Sequence, residues 1–304
     1  MEKYAVFDIG GTTLKYGIIN DQGKIMIYRE VPSEAKKGGA HVINQVIRIV
    51  NEYKMCDTIK GVCISSAGVV DAEQGVIVYA NDNIPNYTGL NIKEIVESNV
   101  NIPCEVENDV ACAGLAERFT GAAKKSRVTL CLTIGTGIGG SLIIGDKVFH
   151  GAGNFAGEVG YMDISGEHFE KVASTKAMID QVAERKGNKE AIDGIKIFEL
   201  ARMGDAVCME AINAMCDCLA RGIASICYII NPDLIVLGGG ITAQGAYLLD
   251  IINDKLDIYL IEKIRENTKL LFAENGNKAG MLGAYYNFSM RHAIIQNLRQ
   301  KEMI

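Results

Sequence analysis

The first residues with chemical content lie at the end of an apolar run. In AVFDIGGTTLKYGIIN (residues 5–20), Asp8 is followed by Gly10, Gly11, Thr12, Thr13 and Lys15 before the apolar pattern resumes at Ile18 and Ile19. A plain hairpin needs only a glycine or an asparagine at its turn. The surplus here suits an anion: glycines let backbone N–H groups approach phosphate oxygens, and the hydroxyls add donors. Asp8 is then placed to face a magnesium ion, directly or through water, because magnesium binds through one or two carboxylates, waters and substrate phosphates. LTIGTGIGG repeats the device with Thr133, Gly135, Thr136 and Gly137, and GGGIT at 238–242 supplies a third glycine loop, with Gly239 and Gly240 suited to the adenosine side of a nucleotide. GTGIGG also matches the dinucleotide spacing GxGxxG, but that fingerprint needs a helix after its last glycine. The residues after Gly140 are SLIIGDKVF, a strand pattern. No GxxxxGK[ST] loop occurs. A mere hairpin turn explains either loop alone, but not two of them in corresponding places.

The elements that must carry these loops follow from periodicity. Residues 4–31 read as a β-meander with turns at GGTT and NDQGK, and GGAHVINQVIRIVNEYK switches to a helical period with Val42, Val46, Ile49, Val50 and Tyr53 on one face. IKGVCISSAG and IPCEVEN are short buried strands, and DVACAGLAERFTG is a helix whose start is marked by Asn108 and Asp109. RVTLCLTIGTGIGGSLIIGDKVF then repeats strand, glycine-rich reversal, strand, small turn and strand, which predicts a duplicated domain. Helices are expected near 172–186, 194–203 and 205–230, the last with Ile212, Met215, Leu219, Ile223 and Ile226 in step and a stop at Asn231-Pro232. The expected organisation is an α/β domain over 1–119 and a second over 120–289, a C-terminal helix at 290–304 packed on the first, and the ligand cleft between them.

Composition narrows the partners. The chain has 304 residues, 48% of them hydrophobic, which is enough for two ordinary domains. A net charge of −6, with no basic cluster, argues against a nucleic-acid groove and for a small ligand. Nine cysteines without a disulfide-like framework or a signal peptide read as reduced thiols in a cytoplasmic protein. Cys216 and Cys218 lie at i and i+2 of a helix, do not face each other, and read as core. No apolar stretch reaches the roughly 18 residues of a membrane helix without a charge interrupting it.

Taken together and in order, DIGGTTLKYG, SSAGVVD, NDNIP, ENDVACAGLAE, LTIGTGIGGSLIIGDKVFHGAGNFAGEVGYM, FEKVAST and IVLGGGI resemble the ROK family (repressors, open reading frames and kinases) over nearly the whole chain. The resemblance implies two actin-like ATPase (ribonuclease H-like) domains, ATP and magnesium as cofactors, a homodimer, and phosphorylation of a hexose or hexoside hydroxyl. By residue, Asp109 matches the catalytic base that takes the proton from the sugar hydroxyl as that oxygen attacks the γ-phosphoryl group. Gly68, Asn83, Asn108, Glu158 and Glu170 match sugar contacts, with Glu170 near the anomeric end. Phosphoryl transfer asks for positioning, charge neutralisation and one proton acceptor, which these parts would supply. Most members have histidine where Tyr161 stands, followed by a zinc-binding CxCGxxGC run; YMDISGEHFEKVAST has neither, so no zinc is expected. His168 falls about where the last of those cysteines would be, but one histidine cannot make a four-ligand site. The zinc-free pattern is similar to a branch with β-glucoside kinases and some N-acetylmannosamine kinases, and a phenol at Tyr161 alters the wall near the sugar 2-position. Glucose, a β-glucoside and N-acetylmannosamine are therefore the candidate substrates, the 6-hydroxyl the expected acceptor. The competing reading is a catalytically silent sugar-binding protein, which should have lost Asp109 or a phosphate loop. A repressor of the family would carry a helix-turn-helix ahead of the first phosphate loop, and only seven residues precede Asp8.

Overall fold

Two five-stranded sheets of the same design organise the chain, in a computed structural model that describes residues 1–187 and 192–294. The first grows from a meander of β1 (Lys3–Ile9), β2 (Thr13–Asn20) and β3 (Ile25–Pro32), followed by helix α1 (Gly39–Cys56) and β4 (Ile59–Ser66). A small hairpin, β5 (Val69–Asp71) and β6 (Val76–Tyr79), precedes α2 (Ile92–Val100), β7 (Cys104–Asn108) and α3 (Asp109–Thr120). The sheet order is β3-β2-β1-β4-β7, with the meander antiparallel and β4 and β7 parallel to β1. α1 forms because Val42, Ile43, Val46, Ile49 and Val50 recur at helical spacing and bury a single face. They join the core made with Ala5, Phe7 and Ile9 of β1 and Val62 and Ile64 of β4.

The second sheet has the same order and sense. β8 (Val128–Ile134), β9 (Ile138–Ile144) and β10 (Lys147–Val148) form the meander, β11 (Asp163–Ile164) and β12 (Glu167–His168) a short hairpin, and α4 (Phe169–Ala173), α5 (Thr175–Lys186), α6 (Gly194–Arg202) and α7 (Ala206–Ile230) a helical layer. β13 (Leu234–Gly238), α8 (Ala246–Tyr259), α9 (Glu262–Asn267) and β14 (Lys269–Phe272) complete it in the order β10-β9-β8-β13-β14. The Asp205 side chain caps α7 by accepting the Cys208 N–H at 3.0 Å. The helix stops where Asn231 turns left-handed, φ 49°, ahead of Pro232. By length and composition alone α7 would pass for a membrane span, although Glu210, Asp217 and Arg221 interrupt its apolar run as expected. Its Ile212, Met215, Leu219 and Ile223 are wholly or almost wholly buried, so here it is a core helix.

Helix α10 (Ala279–Arg291) returns to the first sheet, where it packs on α3, β4, β1 and β7. Among the described residues, the contacts therefore divide the chain into one unit of 1–121, 150–155 and 277–294, and another of 122–149 with 156–276. Residues 150–155 and 277–289 thus group with the first unit, not with a domain of 120–289. The cause for the latter is the helix itself, in which every residue from Gly280 to Ser289 is buried. Of the helix expected at 290–304, residues 295–304 lie outside the described residues.

Candidate active site

In the first unit the strand register assembles the phosphate loop. Asp8 sits opposite Lys15 across the β1–β2 pair and opposite Ser65 across the parallel β1–β4 pair. Its Oδ2 pairs with Lys15 Nζ at 3.2 Å, and its Oδ1 accepts the Ser65 hydroxyl at 2.7 Å. The turn between them is closed by the Gly10 N–H donating to the Thr13 carbonyl at 3.0 Å, while the Thr12 carbonyl accepts the Ser33 N–H at 2.9 Å. Gly11 and Thr12 are exposed at the tip. Behind Asp8 stands Gly280 of α10, where even a Cβ would overlap the carboxylate. The carboxylate is thus fixed from two sides as a hard oxygen donor next to a loop of glycines and hydroxyls. That is a donor set that fits magnesium held jointly with substrate phosphates.

The strand-to-helix corner at Asn108 is the second cluster. Asn108 is the N-cap of α3, and its Oδ1 accepts the N–H groups of both Val110 and Ala111 at 2.9 Å. Its Nδ2 donates to the Gly68 carbonyl at 2.9 Å and to Asp109 Oδ1 at 3.1 Å. Two donors and two acceptor sites exhaust a primary amide, so Asn108 holds the corner and can meet a sugar only by giving up one of these bonds. Asp109, half-buried in the first turn of α3, also accepts the Val110 N–H at 2.9 Å. Asn108 is thus the cap of the helix, and Asp109 is a carboxylate oriented by that cap. Gly68 adopts φ 94°, and a Cβ there would crowd the Tyr79 carbonyl, so a side chain is excluded beside the Asn108 amide. Exposed Asn83 has its Cβ 3.8 Å from where a Cβ on Gly11 would be, which brings NDNIP to the phosphate-loop tip.

In the second unit, the 133–137 and 238–240 loops meet. Thr133 pairs with Gly238 across β8 and β13, and Gly239, at φ 94°, lies so close to Ile134 that a Cβ would overlap its carbonyl oxygen. Gly135, Thr136 and Gly240 open onto a cavity of about 500 Å³ whose other walls include Ile179, Ile195 and Phe198. An apolar slot beside glycine-lined polar loops suits a flat heterocycle attached to phosphates. Its α5 and α6 walls were not legible as a site, since nothing marks an apolar residue as lining a slot rather than a core. Gly137 leaves room for the Glu170 carboxylate, which also lies against Gly160. Glu158, on the adjoining turn, is solvent-accessible at its surface but desolvated enough that its carboxyl pKa is raised, the charge of Glu170 adding to the effect. The exposed Tyr161 ring stands edge-on to His168 at 5.8 Å. Among the described residues, no group of three or more His, Cys, Asp or Glu is placed to hold a metal by itself. Sequence reading missed Ser65, Gly280 and the cavity walls at Thr175 and Asp193; Ser65 lay in SSAGVVD, where only Gly68 drew attention.

The model of the ROK family matches residues 4–290. A beta-glucoside kinase of Listeria monocytogenes is 31% identical over 296 residues, covering 94% of this chain and 97% of its own length. A glucokinase of Streptomyces griseus, solved in complex with glucose and AMPPNP, is 27% identical with a TM-score of 0.78, over 93% of this chain and 97% of that one. A Listeria monocytogenes protein described as a candidate N-acetylmannosamine kinase is 29% identical with a TM-score of 0.87, over 95% and 99% of the two chains.

Proposed function

Because the chain belongs to the ROK family and has its two-domain, actin-like ATPase fold, we propose that this sugar kinase uses ATP to phosphorylate the 6-hydroxyl of glucose, a β-glucoside or N-acetylmannosamine. The observation that carries the reading is the Asn108–Asp109 corner, in which a helix cap aims a carboxylate that the cap does not itself need. Asp109 accepts the proton of the sugar hydroxyl as that oxygen bonds to the γ-phosphorus and the bond from phosphorus to the ADP oxygen breaks. Glu158, Glu170 and Asn83 are the assigned sugar-reading groups, with Gly68 admitting the sugar where a side chain would block it. Asn108 acts by holding Asp109.

Gly10, Gly11, Thr12, Thr13, Thr133, Gly135, Thr136 and Gly137 are the assigned phosphate groups, with Lys15 as the cation beside them and the cavity next to Gly239 and Gly240 for adenine. Magnesium, when bound with the nucleotide, neutralises phosphate charge, and Asp8 is the residue that would hold it. Zinc has no part in this reading, and the protein acts in the cytoplasm as a homodimer.

The test is a coupled ADP-release assay over glucose, N-acetylmannosamine and an alkyl β-glucoside. Sugar-dependent ADP release is expected with at least one of them. Sugar-dependent thermal shifts with no ADP release would instead mark a silent sugar-binding protein. The ratio of kcat/KM values would name the substrate, since Tyr161 changes both the volume and the hydrogen bonding of one wall.

A further inference from the structure

Immediately before the Asn108–Asp109 corner lies a carboxylate that the reaction does not use. Glu107, the penultimate residue of β7, is fully buried. Its Oε1 accepts the Asn108 N–H at 2.8 Å, and its Oε2 lies 2.8 Å from Nε2 of His150. A buried carboxylate is tolerated only when its oxygens are satisfied. His150 comes from far along the chain, in the 150–155 segment that the first unit gathers between two stretches of the second. It is partly exposed, so the ring can exchange protons with solvent while its bond to Glu107 stays inside.

We propose that His150 is a positioning residue for phosphoryl transfer: through Glu107 it fixes the peptide that enters the Asn108 cap, and so sets where Asp109 presents its carboxylate. The chain of contact is continuous. His150 holds one oxygen of Glu107, the other oxygen holds the Asn108 N–H, and the Asn108 amide holds both the Gly68 carbonyl and Asp109. Without the imidazole, a buried anion loses a partner next to the one peptide whose orientation aims the base.

The charged groups around the ring decide the pH range. Glu107 on β7 raises the His150 pKa through their hydrogen bond, against the cost of desolvation, and also through its charge; Arg291 of α10 lowers it and Asp71 of β5 raises it. The net shift is upward from the ordinary 6.5, so the imidazolium persists to higher pH than it would on an unpartnered histidine. The pair is an ion pair below that raised value and becomes a neutral ring against a buried carboxylate above it. Turnover should therefore fall as pH rises through it.

The inference rests on the kinase reading of Asp109, and one experiment separates the two. In the full-length chain, kcat and KM for sugar and ATP are measured from pH 6 to pH 10 for wild type, His150→Ala, His150→Gln and Asp109→Asn. His150→Ala should lower kcat about 10- to 100-fold, the cost of a misplaced catalytic group, with the KM for ATP unchanged. Glutamine can donate the hydrogen bond but does not titrate, so His150→Gln should regain most of kcat and lose the alkaline fall that depends on His150. Wild-type kcat in His150→Ala, or the same alkaline fall in His150→Gln, overturns the proposal, provided Asp109→Asn is impaired. Wild-type turnover in Asp109→Asn overturns the kinase reading instead. If both His150 variants fail to fold, NMR titration of the wild-type histidines decides: a His150 ring that titrates at or below 6.5 overturns the coupling to Glu107, and one that titrates above it supports it.

Discussion

Asp109 is held by the Val110 N–H and the Asn108 amide, both of which stabilise its charged form, while a general base must also be able to accept a proton. Asparagine keeps the shape and removes the acceptor, so Asp109→Asn should lower kcat about 10²- to 10⁴-fold with little change in sugar KM, read by steady-state kinetics. Glu158 offers a different test. Desolvation, then the charge of Glu170, raises its pKa above the ordinary 4.5, so ionising it opposes folding. That penalty is complete above the raised pKa and vanishes below 4.5, where the group is protonated folded or unfolded. Glu158→Gln should therefore melt at a higher temperature than wild type at pH 7 and at the same temperature near pH 4, while raising the sugar KM. An equal melting temperature at both pH values would mean that Glu158 is not desolvated in the free protein. At this scale the sequence was legible wherever function was written locally. Asp8 and Lys15 are seven residues apart and meet across one hairpin, whereas Ser65, Gly280 and His150 reach their partners only through the fold. No local pattern marks such residues.

At the scale of elements, loops carry chemistry because strand ends hold them at fixed distances. β13 and β8 pair as far as Gly238 with Thr133, and the chain then crosses Ile134 at Gly239 with positive φ. Gly239→Ala would need a conformation costing about 1–3 kcal/mol and would push the loop away from Ile134. It is expected to lower the melting temperature and to weaken the thermal shift given by magnesium ADP, while sugar-induced shifts are kept. A variant with the wild-type ADP shift would remove this loop from the nucleotide site. The meanders were readable because alternating apolar residues and glycine turns are local signals, and α7 because its apolar stripe runs for seven turns. The two-residue strands β11 and β12 were less so, being too short for any period to show.

The whole molecule is more interleaved than its sequence suggests, because the first unit is built from three separate stretches of chain. Sequence periodicity marks where a helix begins and ends but not which sheet it covers, and α10 follows directly on the strands of the other unit. What places it is size and burial. Met281, Leu282, Tyr285, Tyr286 and Phe288 are all buried in the first unit, with Tyr285 and Phe288 meeting Tyr4 of β1 at 5.4 and 5.5 Å and Tyr286 stacking on Phe119 of α3 at 4.6 Å. At about 1.5–3 kcal/mol for each large apolar side chain, the five together contribute on the order of 10 kcal/mol, comparable to the whole stability of an ordinary domain. Glu105, buried at the far end of the helix, adds contacts to Arg291 and His292. A chain ending at residue 276 should therefore lose the native state of its first unit although residues 1–121 are intact. The second unit, whose segments all remain, should still fold and bind ADP, without the magnesium that Asp8 would hold. Near-UV circular dichroism and limited proteolysis would read the first effect, and the ADP-dependent melting shift the second. Protease-resistant 1–121 in that truncated chain would mean that α10 decorates the first sheet without being part of its core.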